Sequence, residues 1–141
     1  MRVLAIAAFL IGFAPTAGAQ TPVAIPPDVE TVVTGGFWKS ANSKGSYRVV
    51  IRSGGFEHVI SELQVDWITE PEGNDKPSRV VASKVAETGS WRLDKPRIAK
   101  DSKGWRVTVE GVEPHMTPMP RGTWSVQLGE PGTLKATLKQ R

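Results

Sequence analysis

Cysteine is absent from this 141-residue chain, which also has only two histidines. Without cysteine the chain can form no disulfide and offers neither a thiolate nucleophile nor a thiolate metal ligand. It also lacks a G-x-S-x-G nucleophile turn, a phosphate-binding glycine loop and an H-E-x-x-H motif. Glu62 and Asp66 could form the carboxylate pair of a glycosidase, but acidic side chains along a strand are the ordinary composition of a solvated face. The sequence therefore predicts a protein that is not an enzyme.

Long apolar runs are also missing, except for one at the N-terminus. Arg2 precedes an unbroken apolar segment, residues 3–14, and the small residues Ala17-Gly18-Ala19 follow it. A charged start, a short apolar core and an A-x-A site predict a signal peptide, residues 1–19, cleaved after Ala19. The alternative, a membrane anchor, would need about 20 apolar residues. We expect a soluble periplasmic or secreted protein without a transmembrane segment after cleavage.

Turn-forming residues are abundant, with 14 Gly and 11 Pro. This composition disfavours a helical bundle and favours short strands joined by many turns. Residues 20–28 contain three prolines and predict an extended leader. Residues 29–141 then form one domain, which is an ordinary size for a single core.

Alternation of apolar and polar residues predicts the strands. Tyr47, Val49 and Ile51 alternate with arginine and serine, and Gly54-Gly55 predicts a two-residue hairpin turn. The return strand places Leu63, Val65 and Trp67 on one face. Similar patterns predict strands over 79–86 and 105–110 and a hairpin over 124–138, although alanine and lysine in 79–86 also allow a short helix. Seven or eight mostly antiparallel strands indicate an all-β, immunoglobulin-like β-sandwich.

A short sequence pattern recurs. Ser43-Lys44-Gly45 precedes Tyr47-Arg48-Val49 as Ser102-Lys103-Gly104 precedes Trp105-Arg106-Val107, and His58 and His115 each lie nine residues before a tryptophan. An ancient duplication and shared strand composition both explain the pattern, so it carries no functional prediction.

Five tryptophans are the first candidates for a binding surface. Trp67, Trp105 and Trp124 share the phase of neighbouring valines, which predicts core positions. Trp38 and Trp91 lie in turn-rich surroundings, so we expect them to be exposed and to form an apolar patch with Phe37. The alternative is simple packing at a sheet edge.

A basic run supplies the second candidate. Residues 92–106 hold six cations and two acids, a local excess equal to the net charge of +4 of the whole chain. We expect Arg92, Arg97 and Lys100 to favour an anionic partner, although a solvated strand edge would have the same composition. Together these residues predict a binding or accessory module without a cofactor. Its partner would be an envelope protein or polysaccharide, and export argues against nucleic acid.

A methionine loop leaves copper as the alternative function. His115, Met116 and Met119 lie within five residues of each other. Thioether sulfur together with imidazole is a ligand mixture that selects Cu(I). A complete site needs another donor, for which His58 is the candidate. The other interpretation is a proline-stiffened loop that covers one end of the sandwich.

Overall fold

A computed structural model describes residues 25–141 apart from 56, 58 and 74. The predicted signal peptide with its cleavage site, most of the predicted leader and His58 therefore lie outside the described residues. Nowhere in the described part of the chain does a helix occur that could cross a bilayer.

The described residues form eight strands and no helix, which confirms the all-β prediction and its strand number. Within the predicted segment 79–86, residues Val80–Val85 form a strand and not a helix. The strands are β1 (Val29–Lys39), β2 (Lys44–Gly54), β3 (Ile60–Thr69), β4 (Val80–Val85), β5 (Arg92–Asp101), β6 (Gly104–Val112), β7 (Arg121–Leu128) and β8 (Leu134–Gln140).

Two four-stranded antiparallel sheets follow one another along the chain. Sheet 1 has the order β1-β2-β3-β4 and sheet 2 the order β5-β6-β7-β8, so each is a meander of consecutive strands. The immunoglobulin arrangement is not confirmed, because that fold distributes neighbouring strands between its two sheets. Alternation along strands could predict the number of strands, but not which sheet each strand joins.

The core lies between the inward faces of the two sheets. Tyr47, Val49 and Ile51 on β2 stand directly opposite Trp67, Val65 and Leu63 on β3, and all six are at most 3% exposed. Sheet 2 contributes further buried side chains to the same cluster, among them Val107, Val109, Val126 and Leu128. The predicted β2–β3 hairpin is therefore confirmed. The predicted two-residue turn is wrong, since Gly54 pairs with Ile60 and five positions of the sequence separate them.

Two aromatic side chains of sheet 1 bind the backbone at Gly129, in the connection between β7 and β8. The Trp67 indole N–H donates to the Gly129 carbonyl at 3.1 Å, and the Tyr47 hydroxyl donates to the same oxygen at 3.4 Å. The rings of Tyr47 and Trp67 also meet edge to face, with centroids 6.0 Å apart. Burial raises the pKa of the Tyr47 phenol, which therefore remains a hydrogen-bond donor at neutral pH.

Trp38 and Trp91 are core residues, so the prediction that they are exposed is wrong. Trp38 is 3% exposed and donates its indole N–H to the Ser46 carbonyl at 2.9 Å. Trp91 is 6% exposed and meets Trp124 edge to face at 6.1 Å. Neither ring offers a face to a partner, which removes the predicted patch with Phe37.

A glycine on β6 explains the position of Trp91. Gly111 on β6 stands directly opposite Gly122 on β7. A Cβ at Gly111 would lie only 2.9 Å from the Trp91 ring, and one at Gly122 would lie 3.4 Å from it. Gly111 thus leaves the space that the indole fills, as glycine within a strand often does where another group approaches closely, whereas Gly122 makes room for Leu138 and the Lys139 carbonyl.

Candidate functional site

The outer face of sheet 2 carries most of the basic side chains of that sheet. In β6, Val107 and Val109 point into the core, so Arg106 and Thr108 point outward. Residues directly opposite each other in antiparallel strands share a face, so the strand register extends this outer face over all four strands. Its cations, which we call the basic face, are Arg92, Arg97, Arg106, Arg121, Lys135 and Lys139.

Hydroxyl side chains fill the middle of the basic face. Arg97 on β5 is followed across the sheet by Thr108, Ser125 and Thr137 on the next three strands. The surface between the cations is therefore polar and carries small groups that can donate and accept hydrogen bonds.

Most of the basic face has no internal counterion. This face also holds three acids: Asp101 pairs with Arg106 at 2.6 Å, Glu110 pairs with Lys95 at 3.2 Å, and Asp94 stands opposite Glu110 without an ion pair among the described residues. Among the described residues, no ion pair involves the other five cations: Arg92, Arg97, Arg121, Lys135 and Lys139. Unneutralised cations on one sheet face produce a local positive potential that attracts anionic ligands.

The register divides the predicted basic run. Arg92 and Arg97 belong to the basic face. Lys100 does not, because it stands opposite Trp105 and so lies on the inward side of the sheet. Phe37 is 44% exposed, but it lies in β1 of sheet 1. The basic face instead gains Arg121, Lys135 and Lys139, which only the pairing of β6, β7 and β8 brings next to the predicted residues.

An open cleft of about 710 Å³ lies at one end of the basic face. Arg92, Arg121 and Arg141 line it, and the Arg141 amide donates to the Arg121 carbonyl at 3.0 Å. Glu30 and Met119 also line the cleft. The cleft therefore joins the basic face to the methionine loop.

The methionine loop, residues 113–120, connects β6 to β7. Met116 and Met119 are 57% and 61% exposed, and His115 is exposed in the same loop. The Glu113 carboxylate accepts a hydrogen bond from the His115 backbone amide at 3.3 Å. Within the described ranges no group of three His, Cys, Asp or Glu side chains could hold a metal. A metal site at this loop would depend on the thioether sulfurs.

The solvated strand face predicted for Asp66 is wrong, because this residue is buried. It lies on the outer face of sheet 1, yet it is 1% exposed. One carboxylate oxygen accepts from Arg48 Nε at 2.9 Å and from Nη2 at 2.7 Å. The other accepts from Gln64 and Ser83, both at 2.7 Å.

Those hydrogen bonds determine the charge of Asp66. Burial raises its pKa, but the bonds from Ser83, Gln64 and Arg48 outweigh burial and hold the pKa below the ordinary 3.8. The carboxylate is thus ionised at neutral pH, with both oxygens occupied. Such a group stabilises the sheet and has no oxygen available for proton transfer to a substrate.

No family model, curated protein or solved structure matches this chain. The chemistry of its own surfaces is therefore the basis for assigning a function.

Proposed function

We propose that this protein is an exported, non-enzymatic binding module of the cell envelope that holds an anionic polysaccharide on the basic face. The observation that carries the proposal is the set of five cations on one sheet face that have no ion-pair partner within the described part of the chain. The charged N-terminus, apolar run and Ala17-Gly18-Ala19 site support export.

The spacing of the cations suits a repeating anion. The five cations lie on β5, β7 and β8, three of the four strands, and neighbouring strands lie about 4.8 Å apart, so these cations can meet charges spaced along an extended polymer. Thr108, Ser125 and Thr137 supply hydrogen bonds to sugar hydroxyls between those charges. Each contact is weak in water, and affinity comes from several contacts acting together. Binding of this kind weakens steeply with salt.

The test compares two triple variants of equal net charge. In Arg97→Gln/Lys135→Gln/Lys139→Gln the basic face loses three cations, whereas Lys39→Gln/Lys100→Gln/Lys103→Gln removes three exposed lysines outside it. Binding to polygalacturonate, a polymer with one carboxylate per sugar, is measured by titration at low and high salt, with neutral dextran as the control polymer. We expect the first variant to bind at least about tenfold more weakly and the second to bind within about twofold of wild type.

Other outcomes contradict the proposal in distinct ways. Equal losses in both variants would mean that net charge alone attracts the polymer. Retention by dextran would mean that charge is not what is recognised. Binding of an acidic peptide without binding of either polysaccharide would identify the partner as a protein.

Copper binding is the second candidate, favoured by the exposure of two thioether side chains in one loop. Large apolar side chains normally avoid such exposure, and Met116 and Met119 would gain a role as Cu(I) ligands beside His115. The purified protein is titrated with Cu(I) under reducing conditions against a competing chelator. Met116→Leu/Met119→Leu keeps the apolar volume and removes both sulfurs, and His58→Ala tests the donor outside the described residues. Tight one-to-one binding that the leucine variant loses would support a copper carrier, and equal binding by that variant would exclude it.

A further inference from the structure

The two sheets have four edge strands, β1, β4, β5 and β8, and these differ in their protection against pairing with another chain. In β8, Lys135 and Lys139 are exposed, and β5 contains Pro96 next to Lys95, whose φ is 52°. Charges, proline and irregular backbone at an edge all discourage further strand pairing. β1 has register shifts near both ends and lies beside β5.

β4 lacks most of that protection. Its residues are exposed except Ala82, and the exposed fractions of Val80, Val81 and Val85 are 47%, 39% and 44%. Lys84 is its only charged residue. An apolar strand with an open edge is a ready template for another strand.

The pairing of β4 with β3 shows which backbone groups point outward. The Ala86 amide donates to the Leu63 carbonyl at 2.8 Å, so Ala86 directs its hydrogen bonds toward β3. Bonding direction alternates along an antiparallel strand, and Lys84 and Ala82, opposite Val65 and Trp67, therefore also bond inward. The N–H and C=O groups of Val81, Ser83 and Val85 are left at the open edge.

We propose that a second copy of this chain pairs antiparallel along β4, with the two-fold axis at Ser83. In that register Val81 faces Val85 of the second copy, and the outward backbone groups of both strands meet as hydrogen-bonded pairs. Arg79 of one copy and Glu87 of the other then flank the paired segment at each of its ends, beyond the strand itself. In the described residues neither Arg79 nor Glu87 forms an ion pair.

Neighbouring registers are less favourable. An axis at Lys84 would place its ammonium group directly opposite the same group of the second copy, and like charges facing each other destabilise a sheet. An axis at Ala82 would place Arg79 opposite Val85, so the charge pairs would be lost. The self-complementarity of residues 79–87 thus selects Ser83 as the centre.

The paired segment is short, which sets the strength of the dimer. The register with β3 shifts between Ala82 and Val80, and this irregularity limits regular pairing to about five residues on each copy. Such an interface is smaller than those of stable dimers, so we expect a dimer that forms only at high concentration.

The proposal is tested by sedimentation equilibrium at protein concentrations of roughly 10 µM to 1 mM. The sample is the full chain in the form that accumulates after expression. We expect the mean mass to rise toward that of a dimer. Val85→Lys should weaken association by at least about tenfold. Val32→Lys, at a valine that is 51% exposed on β1 of the same sheet, should leave it unchanged. A monomer at all concentrations, or equal effects of both variants, would overturn the proposal.

Charge reversal tests the register itself. Arg79→Glu and Glu87→Arg should each weaken the dimer by about fivefold or more, because each places like charges opposite one another. The double variant restores opposite charges and should associate within about twofold of wild type. Circular dichroism melting curves verify that each variant is folded. Failure of the double variant to recover association would contradict the axis at Ser83.

Discussion

Sheets 1 and 2 each place an arginine at the same point and give it different partners. Arg48 on β2 stands directly opposite Asp66 on β3, and Arg106 on β6 stands directly opposite Gln127 on β7. Both arginines donate through Nε and Nη2 to the residue opposite. In sheet 1 that residue is a buried anion, whereas in sheet 2 it is a neutral amide.

The residues around the two arginines also differ between the sheets. Ser83 and Gln64 complete the bonding of Asp66, and Val32 and Val85 flank the network on the outer face of sheet 1. The equivalent surface of sheet 2 contains threonine, serine and cations. Sheet 1 thus uses its charges for its own stability, and sheet 2 keeps most of its charges available to a partner.

The first prediction concerns the acceptors of the two arginines and has the largest effect. Asp66→Ala leaves the Arg48 guanidinium and two polar side chains without their acceptor, which should lower the free energy of unfolding by about 3 kcal/mol. Gln127→Ala removes a neutral, half-buried acceptor and should cost about 1 kcal/mol. Urea denaturation of both variants at pH 7 measures the difference. Equal losses would show that the burial of Asp66 does not distinguish the sheets.

The second prediction makes that difference depend on pH. Because the pKa of Asp66 is lower in the folded state than its ordinary 3.8, its stabilising contribution is complete above that value. The contribution is lost as the pH falls through the lower folded-state pKa. The gap in unfolding free energy between wild type and Asp66→Asn should therefore shrink below about pH 4, while the gap for Gln127→Ala stays constant. A gap for Asp66→Asn that is the same at pH 7 and pH 3 would refute this origin.

The sequence predicted the inward-facing residues within strands well, but it predicted packing between distant parts of the chain poorly. Val49, Val65 and Val107 follow a period of two, which local alternation detects. Trp91 was misassigned because the space for its ring comes from Gly111, which lies 20 residues further along the chain. Packing of that kind depends on strand register, which no local pattern records.

The candidate site was partly predictable for the same reason. Arg92 and Arg97 lie in one strand, and their charge excess is visible locally. Arg121, Lys135 and Lys139 join them only through pairing between strands. The repeated sequence pattern corresponds to equivalent positions in the two sheets only for its arginines. Arg48 and Arg106 are equivalent, but Tyr47 stands opposite Trp67, whereas Trp105 precedes the Arg106–Gln127 pair and so stands opposite Leu128.

The third prediction concerns a substitution that gives Arg106 in sheet 2 a carboxylate acceptor, as Arg48 has in sheet 1. Gln127 Nε2 donates to the Trp105 carbonyl at 2.9 Å and to the Lys103 carbonyl at 3.2 Å. Gln127→Glu loses both donations, so the added attraction to Arg106 should be offset and stability should fall by about 1 kcal/mol or less. Binding of polygalacturonate should weaken by about threefold, since an anion enters the basic face. Unchanged binding would place the polymer away from Arg106.

The fourth prediction has the smallest effect on stability and separates the two faces most directly. Arg97 is exposed and, within the described chain, has no ion-pair partner, so Arg97→Gln should change the free energy of unfolding by less than about 0.5 kcal/mol. Arg48→Gln removes the charged donor to Asp66 and should cost about 2 kcal/mol. Polymer binding should reverse the order, with a loss for Arg97→Gln and little change for Arg48→Gln. If Arg97→Gln destabilised the fold instead, its charge would serve the sheet as that of Arg48 does, and the distinction between a stabilising face and a binding face would fail.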